Sequence, residues 1–172
     1  MSRPWLILDR DDTVLDDPGY LSDPGAVRFL PGALDGMRRF HQHGWPLVLV
    51  TNQSGIGRGY FSEADVRSVH DRLEALLAEK DVELAGIYLC PHVPDSGCAC
   101  RKPQTGLAEE AARDLGLRLS ESVMVGDKQS DLELGRRIGS SFVAQIVAKS
   151  DALALADGHF ESLAELAAEL LS

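Results

Sequence analysis

The sequence is poor in the features that mark several large protein classes. No hydrophobic run is long enough to cross a membrane, and Met1-Ser2-Arg3-Pro4-Trp5 enters a short strand pattern with no apolar leader. Membrane-embedded and exported classes are set aside, and a cytoplasmic location is expected. Basic residues are scarce: 17 Lys and Arg stand against 27 Asp and Glu, a net charge of −10. With no basic stripe for a phosphodiester backbone, nucleic acid is not an expected partner. A small anion is not excluded, because local charge in a cleft decides that. Cysteine is rare too. The three cysteines all fall between positions 90 and 100, an odd number that does not suit a closed disulfide framework. Clustering of this kind suits a metal better. Repeats, low-complexity tracts, long linkers and coiled-coil heptads are absent, so one domain over 1–172 and a monomer are expected.

What is present is an alternation. Hydrophobic residues make up 44% of the chain, enough to expect an ordered core. Apolar strand patterns at 5–9, 47–51, 84–90, 122–126 and 141–147 alternate with helical patterns at 32–43, 62–80, 105–115, 130–138 and 160–171. Residues 14–30 and 91–103 read as loops. In the long helix, Val66, Val69, Leu73, Leu76 and Leu77 form the apolar stripe, with Ser62 as N-cap. Strand–helix alternation predicts an α/β fold with a parallel sheet and helices on both faces. Ligands then bind beyond the carboxyl ends of the strands.

Four motifs fall at those ends. Asp9 and Asp11 follow the first strand, two residues apart, so extended backbone points both to one side. One carboxylate can attack a phosphoryl group while the other protonates the leaving oxygen and later activates water. An anionic nucleophile meeting an anionic phosphate needs a cation, and Mg²⁺ suits oxygen ligands. Thr51 ends the second strand, ahead of the glycine-bearing run Asn52-Gln53-Ser54-Gly55-Ile56-Gly57-Arg58-Gly59. Its hydroxyl and nearby backbone N–H groups suit an anion. Arg101 and Lys102 offer a second phosphate clamp. Asp127, after Gly126, offers a second carboxylate to the metal. Asp131, one turn later, is placed to orient a metal-bound water, and Lys128 to meet substrate or Asp9. Ser130 reads as a helix cap. Taken singly, each motif also has a plainer reading, such as an acidic turn, a flexible loop or a solvated basic pair.

Cys90-Pro91-His92 and Cys98-Ala99-Cys100 are two i, i+2 pairs joined by Val93-Pro94-Asp95-Ser96-Gly97. Pro91 keeps the first pair extended. Three sulfurs and one imidazole form a closed Cys₃His set, a structural zinc arrangement. The alternatives are redox-active thiols, or buried cysteines beside a surface histidine. Cys100 directly precedes Arg101 and Lys102, so zinc in this loop would aim the basic pair at the cleft. The remaining histidines, His41, His43, His70 and His159, read as surface or helix-end residues.

With these residues in view, the chain resembles the haloacid dehalogenase superfamily of aspartate-dependent phosphatases, from about Trp5 to Gly139. It is similar to the small capless branch that acts on heptose bisphosphates and histidinol phosphate, and nearer the heptose enzymes. The segments concerned are Leu8-Asp9-Arg10-Asp11, Gly19-Tyr20, Val50 to Ile56, Arg58-Gly59, Gly86-Ile87-Tyr88, Cys90-Pro91-His92, Cys98, Cys100-Arg101-Lys102-Pro103 and Val125-Gly126-Asp127-Lys128.

The resemblance implies a three-layer, Rossmann-like sheet with no separate cap domain and a zinc-bound loop at 90–100. It implies a Mg²⁺-dependent phosphomonoesterase that hydrolyses the 7-phosphate of a heptose 1,7-bisphosphate through an aspartyl-phosphate. The substrate would feed lipopolysaccharide precursor synthesis. Histidinol phosphate, an amino-alcohol ester, is the alternative, and a non-catalytic zinc-stabilised binding protein a more distant one. By resemblance Asp9 is the nucleophile and Asp11 the general acid/base, with Thr51 and Lys102 holding the phosphoryl group. Mg²⁺ falls to the Asp9 side chain, the Asp11 carbonyl and Asp127. Zinc falls to Cys90, His92, Cys98 and Cys100. Asp17, Gly19, Tyr20, Thr51, Asn52, Gln53, Ser54, Arg101, Lys102 and Lys128 face the substrate. Two departures stand out: Asp12 occupies a position usually held by Gly, and the spacer between His92 and Cys98 is short, a length more usual in the histidinol-phosphate enzymes.

Overall fold

The computed structural model describes residues 4–172; the lead-in at 1–3 lies outside the described residues. Six strands make one sheet: β1 (Trp5–Leu8), β2 (Leu47–Asn52), β3 (Gly86–Cys90), β4 (Ser122–Gly126), β5 (Phe142–Ile146) and β6 (Gly158–Phe160). Their order is β3-β2-β1-β4-β5-β6, and every neighbouring pair is parallel. The helices are α1 (Ala33–Gln42), α2 (Ser54–Gly57), α3 (Glu63–Ala78), α4 (Gly106–Leu115), α5 (Gln129–Arg137) and α6 (Leu163–Leu170).

The layering follows from side-chain alternation. In β1, Leu6 and Leu8 point into one apolar cluster with Phe40 of α1, Leu73 of α3 and Leu163 of α6. Trp5 and Ile7 point into the other, with Leu107 of α4 and Leu134 of α5. A strand buried on both faces must be apolar throughout, which is why β1 reads as an unbroken hydrophobic run. The expected three-layer α/β architecture is the one the chain forms. Ser62 caps α3 as expected, in a reciprocal capping box with Asp65 (3.1 and 2.8 Å).

Three expectations need correction. Residues 158–160 form a short strand, so the last helix starts at Leu163, with Ser162 accepting the Glu165 N–H at 3.2 Å. The glycine-bearing run after β2 contains the helical turn α2. Ser130 lies inside α5; Lys128 occupies the cap position, its N–H donating to Asp131 Oδ2 at 3.1 Å. Among the described residues no helix is long and apolar enough to cross a membrane.

From β1 the chain steps outward to β2 and β3, then returns to the other side of β1 for β4, β5 and β6. The reversal leaves a crevice between the carboxyl ends of β1 and β4, a topological switch point where α/β proteins bind ligands. Asp9 follows β1 there, and Asp127 follows β4.

Candidate active site

Asp9, Asp127 and Asp131 are all buried, and each places a carboxylate oxygen within 4.8 Å of the others. Lys102 stands against them. Its Nζ donates to Asp9 Oδ1 at 2.7 Å and to Val50 O at 2.7 Å, and lies 2.8 Å from Asp131 Oδ1. Burial is the largest single influence and would raise the Asp9 pKa, but the Lys102 ammonium, the Asp127 side chain and Lys128 together hold it below its ordinary range. Burial likewise opposes the Lys102 charge, and Asp131 and Asp9 together keep the lysine protonated. Asp131, expected to orient a water, instead has one oxygen on Lys102 and the other on the Lys128 N–H. Gly126 makes this approach possible: a Cβ there would sit 2.2 Å from the Asp131 Cβ.

Asp127 lies beside Asp9, and the Lys128 charge only partly offsets the crowding. Burial first, and then the Asp9 charge, push its pKa up to about 9. Thr13 Oγ1 lies 3.3 Å from Asp9 Oδ2 and 3.4 Å from Asp127 Oδ1, so its single proton serves one carboxylate at a time. Two crowded carboxylates at a strand-end crevice are a donor set that fits a hard divalent cation such as Mg²⁺, whose charge would relieve the repulsion.

Asp11 is held by groups of another kind. The Arg10 guanidinium grips it in a fork, Nε to Oδ1 at 2.8 Å and Nη2 to Oδ2 at 3.1 Å. Arg10 is fully buried. Gln53 Nε2 donates to Asp11 Oδ2 at 3.1 Å and to Thr51 Oγ1 at 2.8 Å, while its Oε1 accepts from Arg10. Thr51 Oγ1 is therefore an acceptor towards Gln53, and its own proton stays available. Burial raises the Asp11 pKa despite the Arg10 charge. Behind Arg10 lies His70, which is buried and not, as expected, at the surface. Its place in the stripe, one position after Val69 and three before Leu73, was the available signal. Nothing local announces that Arg10, between two aspartates, is a core residue.

A cleft of about 330 Å³ opens beside Asp11. Asp17, Gly19, Tyr20 and Ser54 line it, as expected. So do Asn52, Gln53, Arg101 and Lys128, with Arg58 in addition. Thr51 and Lys102 lie beneath, almost wholly buried. The Asn52 side chain pins the Lys102 backbone from both sides, Oδ1 accepting its N–H at 3.0 Å and Nδ2 donating to its carbonyl at 3.3 Å. Arg101 Nη1 is buried with no hydrogen-bond partner among the described residues, an uncompensated donor beside an anion-sized space.

Asp12, the departure from glycine, adopts φ +60, the left-handed region where glycine is favoured. Aspartate tolerates that region when its side chain bonds locally. Its Oδ1 accepts from the Asp17 N–H at 3.0 Å and from Lys149 Nζ at 2.8 Å. Lys149 went unnoticed because its partners are so distant along the chain.

The Cys₃His residues converge. Cys90 Sγ lies 3.6 Å from Cys98 Sγ and 3.3 Å from His92 Nδ1, which is 3.2 Å from Cys100 Sγ. Ligands about 2.3 Å from a tetrahedral zinc sit roughly 3.8 Å apart for a sulfur pair, so the cluster is near coordination spacing. Gly97 permits the turn between the pairs at φ +73. The thiols are electrostatically unequal. The Ser96 hydroxyl brings Cys98 down to about 5, while burial takes Cys100 up to about 12. A bound zinc would draw all three to thiolates. The cluster can hold zinc.

A parallel sheet with crowded carboxylates, a buried lysine and a cation-lined cleft at its switch point defines a hydrolase that works on phosphate esters. The HAD-hydrolase-like family profile matches residues 99–161. The D-glycero-beta-D-manno-heptose-1,7-bisphosphate 7-phosphatase of Yersinia pestis is 39% identical over 178 aligned positions, 96% of this chain and 94% of that protein. Its counterpart from Haemophilus influenzae is 43% identical over 136 residues, 76% of this chain and 74% of that one. The crystal structure of D,D-heptose 1,7-bisphosphate phosphatase from B. bronchiseptica, complexed with magnesium and phosphate, superposes with a TM-score of 0.86 at 34% identity. It covers 97% of this chain and 98% of that one. The chain belongs to the haloacid dehalogenase-like hydrolases, in the branch of these heptose bisphosphate phosphatases.

Proposed function

We propose that the protein hydrolyses the 7-phosphate of a heptose 1,7-bisphosphate, acting as a cytoplasmic, monomeric, single-domain phosphatase. The observation that carries the reading is the placement of Arg101. Arg101, with its buried Nη1 unpartnered among the described residues, lines the same cleft as Lys128 and Arg58, outside the buried Asp9–Lys102 pair. A substrate with two phosphates fits a site with cations at two depths.

In the proposed mechanism Asp9 attacks the phosphorus of the phosphoryl group lodged over Thr51. Lys102 keeps the nucleophile ionised and aimed, and Thr51 donates its free proton to a phosphoryl oxygen. Asp11, whose pKa burial raises, gives its proton to the departing sugar oxygen as the P–O bond breaks. That leaves a phosphoryl group on Asp9 and a carboxylate on Asp11. The carboxylate then takes a proton from water as the water oxygen attacks phosphorus, which frees phosphate and restores both aspartates. Mg²⁺, held by the Asp9 side chain, the Asp11 carbonyl and Asp127, would neutralise charge on the phosphoryl oxygens. Zinc at Cys90, His92, Cys98 and Cys100 would hold the loop that presents Arg101 and Lys102.

The test is phosphate release with Mg²⁺ from heptose 1,7-bisphosphate and from histidinol phosphate, side by side. A kcat/KM at least about 100-fold higher for the heptose, ~2.7 kcal/mol of transition-state discrimination, is expected. The reverse preference would overturn the substrate and assign specificity to the short spacer of the zinc loop. Turnover of neither, nor of an aryl phosphate, would leave the binding-protein alternative.

A further inference from the structure

We propose that Lys149 is a positioning residue that fixes the substrate-facing wall of the cleft by holding the Asp12 carboxylate in place. Its Nζ bonds Asp12 Oδ1 at 2.8 Å and Asp16 Oδ1 at 2.7 Å, tying together the two ends of the turn after the nucleophile motif. Lys149 comes from the segment beyond β5, on the opposite half of the sheet from β2. The turn is also closed by the Asp12 N–H donating to the Leu15 carbonyl at 2.7 Å.

The link runs on to the cleft. Asp12 Oδ1 also accepts the Asp17 N–H at 3.0 Å, and Asp17 Oδ1 accepts the Gly19 N–H at 3.0 Å. Asp17, Gly19 and Tyr20 are wall residues of the cleft, and Tyr20 meets Tyr60 edge-on at a centroid distance of 4.9 Å. One ammonium thus fixes Asp12, Asp12 fixes Asp17, and Asp17 fixes the wall. Lys149 does not line the cleft itself and touches none of Asp9, Asp11 or Lys102.

Charge points the same way. Asp9, Asp11, Asp12, Asp16 and Asp17 crowd one short stretch that an anionic substrate must approach. Asp9 is paired by Lys102 and Asp11 by Arg10, and Lys149 neutralises Asp12 and Asp16. Removing it leaves the Asp12 carboxylate beside the cleft un-neutralised and held only by the Asp17 N–H. The Lys149 side chain is 38% exposed, so the ion pairs are screened by salt and their effect is on geometry and approach more than on stability.

The proposal rests on the phosphatase reading, which turnover of an aryl phosphate by the unaltered chain checks separately. The experiment compares Lys149→Met, Lys149→Arg and the double variant Asp12→Gly with Lys149→Met, all full-length. The substrates are an aryl phosphate and whichever of the two natural phosphoesters the unaltered chain turns over better. Lys149→Met is expected to raise KM for the natural ester about 5- to 10-fold, with kcat and aryl phosphate kinetics within about 2-fold. Lys149→Arg should recover most of the KM. Adding Asp12→Gly to Lys149→Met should not recover it, because the Asp17 N–H then loses its acceptor as well. An unchanged KM, equal losses on both substrates, or recovery on adding Asp12→Gly would each overturn the proposal.

Discussion

His70 Nε2 lies 3.1 Å from Arg10 Nη1 in the protein interior. A guanidinium can only donate, so the imidazole is the acceptor and carries its proton on Nδ1. Burial, followed by the Arg10 charge, lowers the His70 pKa to about 4. The catalytic-side carboxylate Asp11 is thus gripped by an arginine that is itself seated on a neutral histidine.

The neutral imidazole has a consequence for acid stability. A folded-state pKa of about 4, below the ordinary 6.5, means that the unfolded chain binds the proton more readily. The contribution is complete above pH 6.5 and is lost as pH falls towards 4, by up to about 3 kcal/mol. Urea unfolding at pH 7.5 and 4.5 should show the stability gap between the unaltered chain and His70→Gln closing by that order at the lower pH. A constant gap would mean that His70 is already charged in the folded protein.

Asp9→Asn should lower kcat by about 10³-fold or more on every phosphoester, since the nucleophile is gone. The fold should be retained, because Asp131 still pairs Lys102 in that variant. Substantial turnover by Asp9→Asn would move the nucleophile elsewhere.

Lys102→Met should be costly to the fold as well as to the reaction. It leaves Asp9 and Asp131 buried without the ammonium that pairs them both, a loss of about 3–5 kcal/mol for a broken buried pair. Pairing it with Asp131→Asn should recover part of the stability and none of the activity. Denaturant midpoints alongside phosphate release separate the two effects.

Arg101→Ala should raise KM or lower kcat for the sugar bisphosphate more than for an aryl phosphate. Equal losses on both would place Arg101 at the transferring phosphoryl group and not in recognition.

Zinc removal should act on the reaction from a distance. A chelator that strips the Cys90, His92, Cys98 and Cys100 site should lower activity even with Mg²⁺ restored, because the loop that presents Arg101 and Lys102 loses its fixed shape. Zinc analysis together with phosphate release checks this, and full activity in zinc-free protein would refute it.

The features legible in the sequence were those written locally. The buried strands β1, β2 and β4 show as apolar runs, α3 as a capped stripe, and the zinc residues as a tight spacing. Strand β6, Gly158–Phe160, is too short to display any period. The helical turn after β2 was hidden by glycines that ordinarily mark loops. Asp9, Thr51 and Asp127 each stood at the end of a visible strand and Lys102 followed the zinc loop after β3, so their convergence could be expected from topology. Arg10, His70 and Lys149 act through partners 43 to 137 residues away, and neither composition nor periodicity encodes such pairings.

The two metal-binding regions differ in how much of the chain each requires. The cysteine–histidine cluster is drawn from 90 to 100, a stretch that can close on itself. The carboxylate site needs Asp9 to meet a lysine 93 residues later, and Thr13 to meet Asp127 114 residues later. Contacts so distant along the chain carry the loop-closure entropy that makes them late in folding. A chain still assembling its sheet can therefore capture zinc well before it can attack a phosphoester, and phosphatase activity serves as a report on completed folding in a way that zinc content does not.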